Sequence, residues 1–574
     1  MAVHRITASV FLVAGLISIG ASPALSEESQ VESVLIDQTT LPDATELKGQ
    51  RPRVDSSAVA PAADALPPSL APLVAPPSLG LPDKPTQVRI RELRPLTLEE
   101  VLQLAEVNSP TLKAAASQVD QSKSSLRAAI AAWYPTVDLS ASGLPEYFKS
   151  YSYRNPDFVP VVRDGLNENY GREWEANANI QVRWDLINPA RVPQIAAARD
   201  RFEQTRNSYL IALRDLRLNA ATAYFDLQEA DEGVRIGQDS VKASLVSLRD
   251  ARARYNAGVN TKLEVLEAET QLARDRNILT TNLGRQDLSR RILARVLDLP
   301  QDITPTAATP ARPLGLWQPS LQESIIAAYS YREELDRLIL EISVNNSEAN
   351  ASLAAVQPVL SFVNSTTTFR TEGQTNQTSR ADIDMGDFTY GIQNSTALTA
   401  SWRLFDGGRA QATYRQSKQA AEESRLNFAA TRDQIRNEVE EGFIGLRTAM
   451  QNIETTSSEV LSSRESLRLS QLRVQAGVST QREVVDNQRD LTQAETRYAG
   501  AIRDYNTNLA RLQRRTGLDA LVACDAVSLP AAKPEADQQP IPIEPTPLKS
   551  ACPFVATAGS SVEQTEMSPV QPLW

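Results

Sequence analysis

Histidine is all but missing from this chain: the single one, His4, stands at the extreme N-terminus. A body without imidazole has no Ser-His-Asp triad, no histidine general base and no histidine-held metal, so most hydrolase and metalloenzyme readings fall. Cysteine is nearly as scarce, with only Cys524 and Cys552, both in a Pro-rich tail where an exported compartment permits a bridge between them. Long apolar runs are lacking too. Ile6 to Gly20 is the one candidate, and its ~15 residues fall short of the roughly 20 that a spanning helix needs. Positive charge is in deficit, with 59 Lys and Arg against 70 Asp and Glu, and aromatics make up 6%. That balance argues against nucleic-acid binding, which wants basic faces.

The apolar run follows Arg5 and ends in small residues at Ala24-Leu25-Ser26, which predicts a signal peptide over 1–26 and export. No cysteine stands near that cleavage site, so no lipid anchor is expected. Residues 27–95 are rich in Pro, Ala and Ser without sustained periodicity and read as a disordered or linker extension. Residues 518–574 repeat that character. Helix-rich sequence lies between, as two copies of one unit over 96–300 and 320–517 with a linker at 301–319.

The duplication shows first in a turn. Tyr255-Asn256-Ala257-Gly258-Val259 returns as Val474-Gln475-Ala476-Gly477-Val478, and Glu264 and Glu267 return as Glu483 and Asp486. Upstream, Leu213, Ala220, Leu227, Val234, Val241 and Leu248 recur every seven residues; Val439, Leu446, Ile453, Val460 and Leu467 do so in the second copy. A second seam, Phe202, Tyr209, Leu216, Ala223, Ala230, Gly237, Ser244 and Ala251, shrinks toward the turn, so the helices can close up there. Each copy therefore encodes a long helix of about 65 residues, or ~100 Å, that turns back into a shorter one.

A further short helix, read at about Pro110 to Ala132 and about Glu333 to Val356, precedes each long one, and between the two each copy holds a pair of strands. From Glu175 to Trp184, Ala176, Ala178, Ile180, Val182 and Trp184 alternate with Asn177, Asn179, Gln181 and Arg183. A wet-lumened membrane barrel has this apolar-out, polar-in pattern, with strands of about ten residues. The partner strand is read at 135–145, and weaker versions involve Leu360, Phe362, Ile392, Leu398, Ala400, Trp402 and Leu404. Tyr147 to Arg172 and Arg370 to Asp387 read as long polar loops. A half-buried soluble sheet alternates in the same way, but export, long loops and aromatics at the strand ends favour the membrane. Four strands cannot close a barrel, and open edges are not tolerated in lipid. The chain must then oligomerise, and two, three or four copies all satisfy the arithmetic.

At this point the chain resembles the TolC family of outer-membrane efflux and secretion channels over about 96–517. The tip motif around Ala257-Gly258-Val259 and Ala476-Gly477-Val478 resembles that family's. So do the strand exits Trp184-Asp185-Leu186-Ile187-Asn188-Pro189 and Trp402-Arg403-Leu404-Phe405-Asp406-Gly407-Gly408. The resemblance implies a mainly α fold with a membrane β-barrel: a homotrimer with a twelve-stranded barrel in outer-membrane lipid and a periplasmic α-helical barrel. It implies no catalysis and no cofactor. As an efflux or type I secretion duct, the protein would dock a periplasmic adaptor (membrane fusion) protein at its tips and be bridged to an inner-membrane pump or ABC exporter. Carried over residue by residue, the family's acidic constriction falls on Glu483 and Asp486, with Glu264 and Glu267 as first-tip equivalents. The same acids also suit the start of a helix dipole. The family's basic latch residue after the tip glycine is replaced by Asn260 and Ser479, leaving Lys262 or Arg482 as substitutes. A soluble periplasmic coiled-coil scaffold or adaptor without a pore is the competing reading, disfavoured because adaptors do not duplicate hairpin and strand pair together.

Overall fold

The structure, a computed structural model, describes residues 62–518 and 521–523 apart from 64, 78, 91, 154–167, 260 and 375–386. The signal-peptide segment and both cysteines lie outside the described residues. The first copy runs β1 (Glu92–Leu96), α1 (Leu98–Asn108), α2 (Pro110–Ile130), β2 (Thr136–Tyr153), β3 (Glu168–Ile187), α3 (Arg191–Asn256), α4 (Lys262–Val296) and β4 (Ile303–Ala307). The second runs β5 (Gly315–Trp317), α5 (Leu321–Tyr331), α6 (Glu333–Ala354), β6 (Val359–Gln374), β7 (Asp387–Ser401), α7 (Arg409–Gln475), α8 (Gln481–Thr516) and β8 (Leu521–Ala523).

Local chemistry repeats with the topology. Both lead-in helices start on a capping box. In α1 the Thr97 hydroxyl accepts from Glu100 N at 3.3 Å while Glu100 Oε2 accepts from Thr97 N at 2.8 Å. In α5, Ser320 and Glu323 do the same at 3.2 and 2.8 Å. Long helices α3 and α7 hold 66 and 67 residues, ~100 Å each. No such helix stands alone in water; each is held by an apolar seam. Leu248, Ala251, Ala268 and Leu272 form the lower seam of the α3–α4 hairpin. Val460, Leu467, Val474, Val484 and Leu491 form that of α7–α8. The small-residue seam works as its sequence predicts. Gly237 lets the backbones close up, because a Cβ there would lie 3.2 Å from Leu279 Cα. Gly237→Leu is expected to pry the hairpin apart and cost about 1–3 kcal/mol, read as a lower denaturation midpoint of the helical signal.

The helices form one layer ordered α2/α4, α3, α6/α8, α7, and the strands continue it above as β2–β3–β6–β7. One flank of the protomer is thus β2 with α2 and α4, and the other is β7 with α7.

Several expected boundaries move. The strands hold 15 to 20 residues rather than about ten, and they take over parts of the segments read as polar loops. Turn residues in those segments hid the continuation; the Gly143 and Pro145 region is a bulge, with the register shifting between Ser142 and Glu146. The 301–319 linker contributes β4 and β5, and the tail contributes β8, which pairs with β5. The extension also proves structured where it is described. Leu70 and Leu73 are fully buried with α1, α3 and α4, and β1 pairs with β4. Proline is compatible with an extended segment that takes its order from another surface, so composition misled here.

Where α5 meets α6, charges from four helices converge. Arg332 holds Glu334 at 2.9 Å and also pairs with Glu438 of α7. Arg514 of α8 holds Glu334 at 2.8 Å and Asp215 of α3 at 2.6 Å, and Arg214 of α3 holds Glu333 at 2.6 Å. Burial pushes the Glu334 carboxyl up, but the Arg332 bonds and the Arg332 and Arg514 charges outweigh it and hold it down at about 2. Burial raises Glu333, and Arg214 opposes that only in part.

Candidate functional site: the membrane sheet and the helical tips

Register decides which side chains share a face. Ala178, Ile180, Val182 and Trp184 of β3 lie opposite Thr368, Thr366, Asn364 and Phe362 of β6, and Leu139 of β2 lies opposite Ile180. Asn177, Asn179, Gln181 and Arg183 point the other way with Ser142, Ser140, Asp138 and Thr136. This polar face is cross-linked, Ser142 Oγ donating to Asn177 Oδ1 at 2.6 Å and Ser365 Oγ to Asn179 Oδ1 at 2.7 Å.

The apolar face is bracketed by aromatics. Tyr147 and Trp174 pack with ring centroids 4.9 Å apart at one level, with exposed Phe388 and Tyr390 nearby. Trp133, Trp184 and Trp402 mark the other. From Trp174 to Trp184 is about ten residues, which at ~3.3 Å each and a ~40° tilt covers about 25 Å, the height of an outer-membrane apolar band. Both copies tie this level to the incoming short helix in the same way. Trp184 Nε1 donates to Trp133 O and Trp402 Nε1 to Val356 O, each at 3.0 Å. In the second copy the band is interrupted by Asn364, Thr366, Asn394 and Thr396. These satisfy one another, with Asn364 Nδ2 donating to Thr396 Oγ1 and Asn394 Nδ2 to Thr366 Oγ1, both at 2.7 Å. An internally bonded cluster lowers the cost of polar groups in an apolar setting. Among the described residues no helix is long and apolar enough to cross a membrane.

At the far end both tips fold alike. Gly258 N donates to Tyr255 O at 2.9 Å and Val259 N to Arg254 O at 3.1 Å. Gly477 N donates to Val474 O at 3.1 Å and Val478 N to Arg473 O at 3.0 Å. These are Schellman closures, with Gly258 and Gly477 at φ +76° and +75°. No atom would meet a Cβ at either glycine, so the left-handed backbone alone demands glycine. Ala257 and Ala476 cap the helices, while Val259 and Val478 are 71% and 67% exposed, a bare apolar point on each tip.

The acidic positions are less bare than the sequence suggests. Glu483 accepts from Arg473 Nη1 at 2.8 Å and from Ser479, and Asp486 lies 3.4 Å from Arg489 and 3.9 Å from Arg482. Glu264 opens α4 and Glu267 follows one turn later, both half-buried on the first tip. The basic substitute Arg482 therefore serves Asp486 within its own helix. The hairpins are joined instead by Arg254, whose Nη1 donates to Val474 O at 3.1 Å, and by buried Gln481, which bonds Ser247. Sequence reasoning missed both, although the offset of the repeat pairs Arg254 with Arg473 and could have singled it out. Around them lies a cavity of ≈ 280 Å³ walled by Ser247, Asp250, Arg254, Gln271, Gln481 and Gln488. Gln271 is 4% exposed, and its Oε1 has no partner. Val246, Val474, Val484 and Val485 line the same cavity, so the two hairpins meet at this end through mixed polar and apolar groups.

Together these features define a duplicated protomer whose strands make part of a membrane wall and whose helices make part of a tube. The chain belongs to the outer membrane efflux protein family, whose model matches residues 101–297 and 328–518. It is 24% identical over 310 residues to the outer membrane efflux protein BepC of Brucella suis, covering 52% of this chain and 62% of that relative, less than two thirds of its length. It is 21% identical over 452 residues to the outer membrane protein TolC of Escherichia coli, covering 76% of this chain and 86% of the relative. The fold superposes on the outer membrane protein VceC of Vibrio cholerae with a TM-score of 0.56 at 15% identity, covering 73% of this chain and 96% of that one.

Proposed function

We propose that the protein is the outer-membrane exit duct of an efflux or secretion system, a passive conduit that docks a periplasmic adaptor beneath an inner-membrane pump. The observation that carries this is the two-faced sheet, apolar between two aromatic levels on one side and hydrogen-bonded polar on the other. Edges β2 and β7 carry unpaired backbone within that band, so copies join β7 to β2 until the sheet closes. Three copies give twelve strands, the count that the family resemblance implies. The soluble scaffold has no use for such a sheet. Val259 and Val478, with Ala257, Gly258, Ala476 and Gly477 beneath them, are the proposed adaptor contacts.

Glu483 and Asp486, with Glu264 and Glu267 as their first-tip equivalents, are the proposed constriction, and the arginines beside Glu483 and Asp486 moderate its preference for cations. Arg254 and Gln481 hold it shut. Purified protein in planar bilayers is expected to show discrete conductance steps. Arg254→Ala/Gln481→Ala should enlarge them several-fold, and Glu483→Ala/Asp486→Ala should shift cation selectivity with little change in size. Absence of conductance from a folded, assembled protein would sink the duct.

A further inference from the structure

The cavity at the junction of the two hairpins carries an excess of negative charge that the fold does not neutralise. Its floor is Ser244 of α3 and Gln271 of α4, both buried. Both donate to a carboxylate just behind them, Ser244 Oγ to Asp275 Oδ2 and Gln271 Nε2 to Asp275 Oδ1, the latter at 3.0 Å. Asp275 is 1% exposed, and among the described residues no lysine or arginine pairs with it. A carboxylate taken out of water is costly unless a cation accompanies it, and a hydroxyl and an amide soften that cost without supplying the charge. Asp250 adds a second carboxylate on the wall, again without an ion pair among the described residues. Against the two stands Arg254, one helical turn beyond Asp250, whose Nη1 is already committed to Val474 O.

The remaining chemistry of the cavity says what kind of cation fits. Gln271 Oε1, the acceptor of the amide that serves Asp275, has no partner of its own. Val246, Val474, Val484 and Val485 make the other walls aliphatic, and the volume of ≈ 280 Å³ lies near the lower end of the range for small-molecule sites. Water satisfies polar walls but brings no charge, and among the described residues no group of acidic, His or Cys side chains is arranged to hold a metal ion. We infer that this cavity is a binding site for a small organic cation, a primary ammonium or amidinium with an apolar body. Its head brings N–H donors and the positive charge that Asp250 and Asp275 lack, and its body covers the valines. The walls come from α3, α4, α7 and α8, so an occupant bridges the hairpins beside the Arg254 and Gln481 contacts and holds them together. That consequence, unlike the site itself, rests on the duct proposed above.

The test is binding of phenethylammonium to the full-length protein in detergent, read by saturation-transfer NMR, with neutral phenethyl alcohol as control. Saturable binding of the ammonium is expected, weakened about three-fold by Asp250→Asn on the exposed side of the cavity and about ten-fold by Asp275→Asn behind its floor. The alcohol should bind more weakly and be indifferent to both changes. Circular dichroism checks that the variants keep their helices; Asp250 is exposed, so that variant serves even where Asp275→Asn does not fold. Asp239→Asn removes the same charge from α3 outside the cavity and should leave binding intact. Weakening by Asp239→Asn equal to that by Asp250→Asn, or equal binding of ammonium and alcohol, would overturn the site. In planar bilayers the ammonium should lower the open fraction of the parent and not of Asp250→Asn, and binding without that change overturns the bridging role. A parent that conducts but does not bind the ammonium overturns the site alone, whereas one that binds it but does not conduct supports the site and sinks the duct.

Discussion

Arg332→Ala is expected to be among the most damaging single changes in the helical body, costing up to about 3–5 kcal/mol, because it removes one of the two arginines that hold mostly buried Glu334 and the arginine that pairs with Glu438. Arg332 side-chain exposure is 7%, and the residue binds Glu334 beside it and Glu438 on α7. The check is a denaturant titration of the helical signal, with Arg332→Met as control to separate lost charge from lost volume. The same hub makes the fold acid-sensitive, and the sign follows from Glu334. Its carboxyl is held at about 2 in the fold against 4.5 free. Its stabilising contribution is therefore complete above about pH 4.5 and drains away as pH falls toward 2, about 3 kcal/mol in total. Glu333 works in the opposite direction. Its raised carboxyl destabilises the fold at neutral pH, and that cost disappears on acidification. The charges facing the pair are Arg214 and Asp215 on α3, Glu438 on α7 and Arg514 on α8. Glu334→Gln should flatten the acid limb of stability against pH, and Glu333→Gln should steepen it.

What could be read from the sequence follows what is periodic. Heptads of Leu, Val and Ala extend over whole helices, so the lengths of α3 and α7, 66 and 67 residues against about 65 expected, were legible to within a residue or two, and the tip glycines announced their own turns. The Glu175–Trp184 stretch of β3 was legible because lipid and lumen ask for opposite side chains at alternate positions. Its counterpart in the second copy was faint for a reason visible only in three dimensions: Asn364, Thr366, Asn394 and Thr396 satisfy one another on the apolar face. The segment before β1 was illegible for a similar reason. Leu70 and Leu73 become core only because Asn108, 35 residues after Leu73, and the end of α4, a further 189 residues along at Leu297, are brought together beneath them. Of the acids in the proposed constriction, the family resemblance named Glu483 and Asp486 and the repeat added Glu264 and Glu267, but neither pointed to the arginines beside the first two. Arg473 reaches Glu483 across the turn, a contact that no helical period encodes.

Adjacent residues on β3 offer the sharpest separation between the two faces. Ile180→Arg is expected to block stable insertion, because it puts a guanidinium in the middle of the apolar band, where such a change costs about 2–4 kcal/mol. Every copy in the proposed ring would add that cost again. Gln181→Arg, one residue along, adds the same charge to the polar face, where Arg183 already stands two positions away, and should insert normally. Heat-stable oligomer recovered from outer-membrane fractions reads both outcomes. A one-residue step inverts every side chain of a strand, so the contrast tests the register itself. Equal tolerance of both arginines would mean that the Ile180 face is not in lipid, and equal failure would mean that the Gln181 face is not wet. Only the predicted asymmetry agrees with a sheet that carries the membrane on one side and the conduit on the other.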